Sequence, residues 1–228
     1  MGKKLCIIPA RGGSKRIPRK NAKDFLGKPI IAYSIEAALK SKLFDYIMVS
    51  TDDEEIAEIS KSFGASIPFF RSKKNSSDFA TTFEVIEEIL EKFQEQNQFF
   101  KFCCCIYPCA PQVNSDILIS SFKMLDANNY DSLLPIVKYG HPIQRALILD
   151  DEGKIKYDKP KNTLIRSQDL NDMFHDAGQF YWMNIKALLK NKSVISQNSG
   201  AIVISELQVQ DIDSELDWKL AEIKFKLS

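Results

Sequence analysis

The 228-residue sequence has no apolar run approaching the roughly 20 residues of a membrane span, and its first apolar stretch is too short for the core of a signal peptide. The expectation is a cytoplasmic protein with no membrane contact. It has no internal repeat and no low-complexity segment, so it reads as a single domain, 1–228, large enough to bury a substantial core without staples. Cysteine is scarce and odd in number: Cys6, Cys103, Cys104, Cys105 and Cys109. Neighbours on a strand point to opposite faces and no second ligand pair has zinc spacing, so a zinc site fails and these read as reduced core residues. Acid is missing altogether before Asp24. Of the 31 Lys and Arg residues, eight fall in this opening stretch, and the remaining 23 are outnumbered by 30 acids. The basic charge is local, which favours a small polyanionic ligand over the broad face of a duplex nucleic acid.

What is present begins with LCIIPARGGSKRIPRKNAKDFLGKP, Leu5 to Pro29. Leu5 to Ile8 fits a buried strand that stops at Pro9. The loop after it holds Ala10, Arg11, Gly12, Gly13, Ser14, Lys15, Arg16, Arg19 and Lys20, an anion site by composition, in which paired glycines let backbone amides approach a ligand and the cations supply charge. Neither G-x-x-x-x-G-K-[ST] nor G-x-G-x-x-G can be laid over Gly12 and Gly13, so this is neither a P-loop nor a dinucleotide fingerprint. On composition alone, a solvated basic turn or a nucleic-acid patch stands level with a nucleotide site.

Hydrophobic spacing then alternates. Pro29 suits the first turn of a helix carrying Ile31, Ile35, Ala38 and Leu39; Tyr46 to Ser50 reads as a strand; Thr51 or Asp52 caps a helix with Ile56, Ile59 and Phe63 on one side and Gly64 at its end. Phe69 and Phe70 close a short strand, Val85 to Phe93 form a helical stripe, and Phe102 to Tyr107 are the next strand. A further helix (Ile117, Phe122, Leu125) and strand (Leu133 to Val137) follow. The fold class is α/β, a doubly wound, mostly parallel sheet with ligands at the carboxyl ends of its strands. Between 139 and 180 the alternation breaks into a polar stretch holding both histidines, with a hairpin of Ala146 to Leu149 and Ile155 to Tyr157, expected to cover an active site or contact another subunit. Regular structure resumes at Tyr181, and a last helix starts near Ser214 with Leu216, Leu220 and Ile223 facing one way. In QDIDSELDW, Asp211 and Asp213 alternate with Ile212 and so face one side, as magnesium ligands would; capping of the last helix, with Asp217 as the acid of a capping box, is slightly favoured by spacing alone.

The string IIPARGGSKRIPRKN followed by GKP resembles the opening of the cytidylyltransferases that activate nine-carbon sugar acids, the CMP-sialic acid synthetase family. HPIQR (His141 to Arg145), the Tyr107 loop and SQDLNDMFHDAGQFYW (Ser167 to Trp182) resemble its pseudaminic acid branch, so the resemblance spans the chain; Ser193 to Ile204 matches less well. It implies a Rossmann-like nucleotide-diphospho-sugar transferase fold, CTP and a nonulosonic acid as substrates, Mg²⁺ as cofactor, and a homodimer contacting through the insertion. Arg11, Lys15 and Lys20 become the candidates for binding the triphosphate and holding transition-state charge, with fixed cations counting for more than a general base. Ala10, Gly12, Gly13, Ser14 and Asn21 sit at matched CTP-binding positions, and Arg16 and Arg19 are expected to face solvent. Arg71, Asp78 and Thr81 match the segment that reads cytosine and ribose, although Ser72 replaces the usual proline. The resemblance also turns the preference for Asp211 and Asp213 from capping to metal.

For the acceptor, the insertion and its return supply Gln144, Arg145, Arg166, His175, Asp176 and Gln179, an inventory of arginine forks for a carboxylate and donors and acceptors for amides and hydroxyls. Tyr107 stands where the sialic acid branch usually has glutamine. That points away from N-acetylneuraminate and toward a sugar with a methyl at its far end.

Overall fold

The computed structural model describes residues 2–227. Leu5, Cys6, Ile7 and Ile8 are all fully buried, because the strand they form, β1 (Lys4–Pro9), lies inside a sheet covered on both faces. The chain continues through β2 (Asp24–Phe25) and β3 (Lys28–Pro29), a tiny hairpin, then α1 (Ile30–Ser41), β4 (Tyr46–Ser50), α2 (Glu54–Ser62), α3 (Thr82–Glu95), β5 (Phe102–Ile106), α4 (Ser115–Ala127) and β6 (Ser132–Lys138). The insertion contributes β7 (Leu147–Leu149), β8 (Ile155–Tyr157) and β9 (Phe174–Asp176), and the chain closes with β10 (Phe180–Asn184), α5 (Ile185–Asn191), β11 (Ser199–Val203) and α6 (Glu215–Leu227).

The main sheet runs β4-β1-β5-β10-β6-β11, with β9 also paired to β6. Strands β4, β1 and β5 are parallel, β11 is parallel to β6, and β10 and β9 are the antiparallel members. The sheet is thus mixed with a parallel core and helices on both faces. Side-chain alternation splits β1 between them: Cys6 and Ile8 pack with Ile31 and Ile35 of α1, Ile56 of α2 and Phe122 of α4, whereas Leu5 and Ile7 pack with Ile86, Ile89 and Phe93 of α3 and Leu188 of α5. The cysteines follow the same rule, with Cys104 on the first side, Cys103 and Cys105 on the second, and all three fully buried thiols.

Four local features differ from expectation. Residues 66–70 form no strand beyond a single bridge from Ser66 to Met48. The cap of α2 is Asp53, whose carboxylate accepts from the Ile56 amide at 3.0 Å, in place of Thr51 or Asp52. The buried side of α6 carries Trp218 and Ala221, and Leu216, Leu220 and Ile223 are exposed. Trp218 meets Phe25 edge-on at 5.6 Å, and the small cluster they share with Ile17, Ile30 and Ile212 ties the C-terminal segment to the basic loop. The insertion's hairpin forms with Gly153 at φ +79° in its turn, and Leu147, Leu149, Ile155 and Tyr157 stand exposed on it. Regular structure resumes at β9, earlier than Tyr181.

Candidate active site

Parallel strands β1, β4 and β5 end together, at Pro9, Ser50 and Ile106, and their following loops enclose a cleft of about 590 Å³. Arg11, Ser14, Lys15, Lys20, Asn21, Arg71, Asp78, Tyr107 and Asp211 all line it. So do Arg16, Asn75, Thr82, Cys109 and Gln210, which the sequence reading did not select.

The basic loop is fastened at several points. Ala10 is buried, its amide on the Ser50 carbonyl at 2.9 Å. The Gly12 amide donates to Asp52 at 3.0 Å, and a Cβ on Gly12 would lie 2.5 Å from Asp53 Oδ2, so this glycine is required by close approach to the start of α2. Gly13 is exposed with open space around it. Arg19, at φ 56°, forks onto Asp53 at 2.5 and 2.9 Å and also pairs with Glu55; the guanidinium holds the Asp53 carboxyl below its ordinary range. Arg19 therefore clasps α2 and does not simply face solvent. Arg16 is exposed, as expected, and also lines the cleft, where it pairs with Asp213 at 2.7 Å.

Lys20 reaches across 192 residues to donate to the Ile212 carbonyl at 2.6 Å and lies 3.9 Å from Asp213. Asn21 is buried, its amide nitrogen on the Arg11 carbonyl at 2.9 Å and its oxygen accepting from the Cys109 thiol at 3.2 Å. Burial pushes that thiol up to about 12, so it stays protonated and keeps donating. Asp78 lines the cleft with one carboxylate oxygen on Arg11 and the other on Lys15, and the two cations hold it below the ordinary aspartate range, Lys15 most.

Arg71 is pinned to the end of β4, its amide on the Thr51 carbonyl at 2.8 Å and its guanidinium on the Ser50 hydroxyl at 3.0 Å and the Ser50 carbonyl. Burial lowers its pKa from the usual arginine value. The segment after it is anchored by Glu88 of α3, which accepts from the Ser72 amide (2.9 Å) and hydroxyl (2.7 Å), Asn75 Nδ2 (2.5 Å) and Lys92 (2.8 Å). Burial alone would raise the Glu88 carboxyl; Lys92, Ser72 and Asn75 together bring it down to about 2. Ser72, in place of proline, is what supplies two of these bonds. Thr81 caps α3 in a reciprocal box with Glu84, and its neighbour Thr82 is the one that lines the cleft, bonded to the Tyr107 hydroxyl at 2.9 Å.

Tyr107 borders an adjoining groove of about 360 Å³ with His175, Asp176, Gln210 and Asp211. Asp176 accepts from the Tyr181 hydroxyl at 2.7 Å, and His175 Nδ1 lies 2.9 Å from the Asp176 carbonyl. Gln179 is buried: its carbonyl accepts from the Tyr107 amide at 2.8 Å and its side chain donates to Gln208, so it holds the Tyr107 loop. Gln144, Arg145 and Arg166 lie within the insertion, bonded to the Asn171 carbonyl (2.6 Å), the Ile165 carbonyl and Asp169 (2.8 Å), and none lines the cleft. Asp211 is exposed and lines the cleft, whereas Asp213, paired with Arg16 and Lys20, does not; Ser214 and Asp217 make the reciprocal cap of α6.

A cleft of this size, lined by Arg11, Lys15, Arg16, Lys20 and Arg71 with Asp78 and Asp211 among them, suits nucleotide chemistry, and a family model named cytidylyltransferase matches residues 5–214. The chain belongs to the cytidylyltransferase family. A pseudaminic acid cytidylyltransferase of Campylobacter jejuni is 43% identical over 226 residues, covering 99% of this cytidylyltransferase and 97% of its own length. A CMP-N,N'-diacetyllegionaminic acid synthase of Legionella pneumophila is 28% identical over 98% and 97% of the two chains. In fold, the cytidylyltransferase resembles the CMP:2-keto-3-deoxy-manno-octonic acid synthetase solved with CTP, with TM-score 0.71 and 14% identity over 99% of each chain.

Proposed function

We propose that this cytidylyltransferase joins CMP from CTP to the anomeric hydroxyl of a nonulosonic acid, pseudaminic acid, and releases pyrophosphate. The observation that carries this reading is the convergence of Arg11, Lys15, Lys20 and Asp211 on one cleft at the ends of the parallel strands, in a chain 43% identical along its length to a pseudaminic acid cytidylyltransferase. The acceptor oxygen attacks the α-phosphorus, the new oxygen–phosphorus bond forms, the bridging bond to the β-phosphate breaks, and the hydroxyl proton is lost to solvent. Arg11 and Lys15 hold the terminal phosphates and Lys20 the charge growing at the α-phosphate; preorganised cations of this kind supply most of the rate in phosphoryl and nucleotidyl transfer. Arg71, fixed by Ser50 and partly buried in the cleft, would take the base, and Tyr107 would wall the sugar side.

The carboxylates fit magnesium. That ion takes one or two carboxylates and completes its shell with water and phosphate oxygens, and Asp211 offers an exposed carboxylate two residues from Asp213, with the buried Ile212 between them. Asp213 would have to give up its Arg16 pair to join Asp211 in holding the ion. When bound there, magnesium supplies Lewis-acid polarisation of the phosphate oxygens. Gln144, Arg145 and Arg166 reach substrate only from a second protomer, so the active form is a homodimer joined through residues 139–180, whose exposed Leu147, Leu149 and Ile155 need cover.

Pyrophosphate release measured with CTP or UTP and pseudaminic acid tests the reaction. Turnover with CTP and little with UTP supports it, because a base site leaves buried polar groups unpaired with the wrong edge. Equal rates overturn the nucleotide assignment.

A further inference from the structure

Every cation of the basic loop that faces the cleft already has a partner: Arg16 has Asp213, Lys20 has the Ile212 carbonyl, and Arg11 and Lys15 share Asp78. Asp78 differs from the others in how it is held. Each of its oxygens takes a different cation, as two oxygens of one phosphate would, and the pairs are exposed. Exposed ion pairs are individually weak and exchange readily with a competing anion.

The segment that carries Asp78 is anchored at its two ends and exposed between them. Its near end is fixed where Ser72 and Asn75 bond to Glu88, and its far end where Thr81 caps α3. Between them Ser77, Asp78 and Phe79 are exposed, Phe79 at 93%, and the backbone bond from Ala80 to Ser77 is long, at 3.4 Å. Moving this segment uncovers no packed side chain at Phe79. Arg71, by contrast, is locked onto β4 and cannot exchange.

We propose that Asp78 is a resident anion that occupies Arg11 and Lys15 when no triphosphate is bound, is displaced by it, and competes with pyrophosphate for the same two cations after transfer. This rests on the reaction proposed above. It makes Asp78 a positioning residue that weakens polyphosphate binding and speeds product departure, opposite in sign to a residue that grips the nucleotide.

Titration calorimetry of inorganic pyrophosphate against the full-length enzyme in EDTA separates the two, since neither metal, base nor ribose is present. Asp78→Asn and Asp78→Ser, both checked for fold by circular dichroism, should bind pyrophosphate about three- to tenfold more tightly than the parent, as loss of two exposed ion pairs allows. The gain should shrink in a Lys15→Met background. In turnover, product inhibition by pyrophosphate should strengthen by the same factor. Unchanged or weaker pyrophosphate binding in both variants overturns the proposal; if the parent still binds CTP, the reaction assignment survives. A parent that binds neither CTP nor pyrophosphate overturns both.

Discussion

Glu88→Gln removes one negative charge from a site where a carboxylate accepts four hydrogen bonds, from the Ser72 amide and hydroxyl, Asn75 and Lys92. The side chain is only 13% exposed, so solvent screens the site weakly. A carboxyl lowered from the ordinary 4.5 to about 2 corresponds to roughly 3 kcal/mol of stabilisation at neutral pH. Glutamine keeps the shape and one acceptor oxygen, so a loss of about 2 kcal/mol is expected. Because the folded pKa is depressed, this stability is fully present above about 4.5 and is lost as pH falls toward about 2. Urea unfolding of parent and variant should therefore show the full gap at pH 7 and a narrowing one at pH 3. The same variant should raise KM for CTP, since the anchored segment carries Asn75 and leads to Thr82, both of which line the cleft. Equal midpoints at pH 7, or a gap that widens on acidification, would refute the reasoning.

Gly12→Ala places a Cβ 2.5 Å from Asp53 Oδ2 and should cost about 1–3 kcal/mol and weaken CTP binding; a stability unchanged in thermal unfolding would show that the contact is not tight. Asp211→Ala and Asp213→Ala should each cut magnesium-dependent turnover about a hundredfold or more while circular dichroism stays native, and near-parent activity in either contradicts its metal role. Light scattering should report twice the 26.0 kDa chain mass, and a monomer at working concentration would remove the second protomer from the site.

The parallel core was legible because β1, β4, β5 and β6 are short apolar runs broken by helical stripes, and the carboxyl ends of β1, β4 and β5 border the cleft. What stayed hidden depends on partners distant in sequence. Strand β9 is exposed and three residues long, and only its pairing with Ile136 to Lys138 makes it a strand. Helix α6 carries two stripes at helical spacing, and the one that wins is set by Phe25 of another element. Glu88 reads as an ordinary surface acid on α3; its role exists only because Ser72 and Asn75 fold over it. The pairing of the exposed Arg16 with Asp213 is hidden for the same reason, since the two lie nearly the whole chain apart. Thr81 and Thr82 are adjacent hydroxyls, and the capping box decides which one is left to line the cleft.

The central claim, transfer of CMP to pseudaminic acid, is tested most directly by competition. Pseudaminic, legionaminic and N-acetylneuraminic acids are offered together with CTP and Mg²⁺, and each CMP-sugar is quantified by mass spectrometry. Tyr107 is half-buried and lines the groove it shares with His175 and Asp176, and an apolar wall gains from a methyl while leaving a hydroxyl unpaired. Discrimination by such a wall is limited to about a hundredfold. CMP-pseudaminic acid accumulating first, by up to that factor, is the result expected; preferential consumption of N-acetylneuraminic acid would contradict the account.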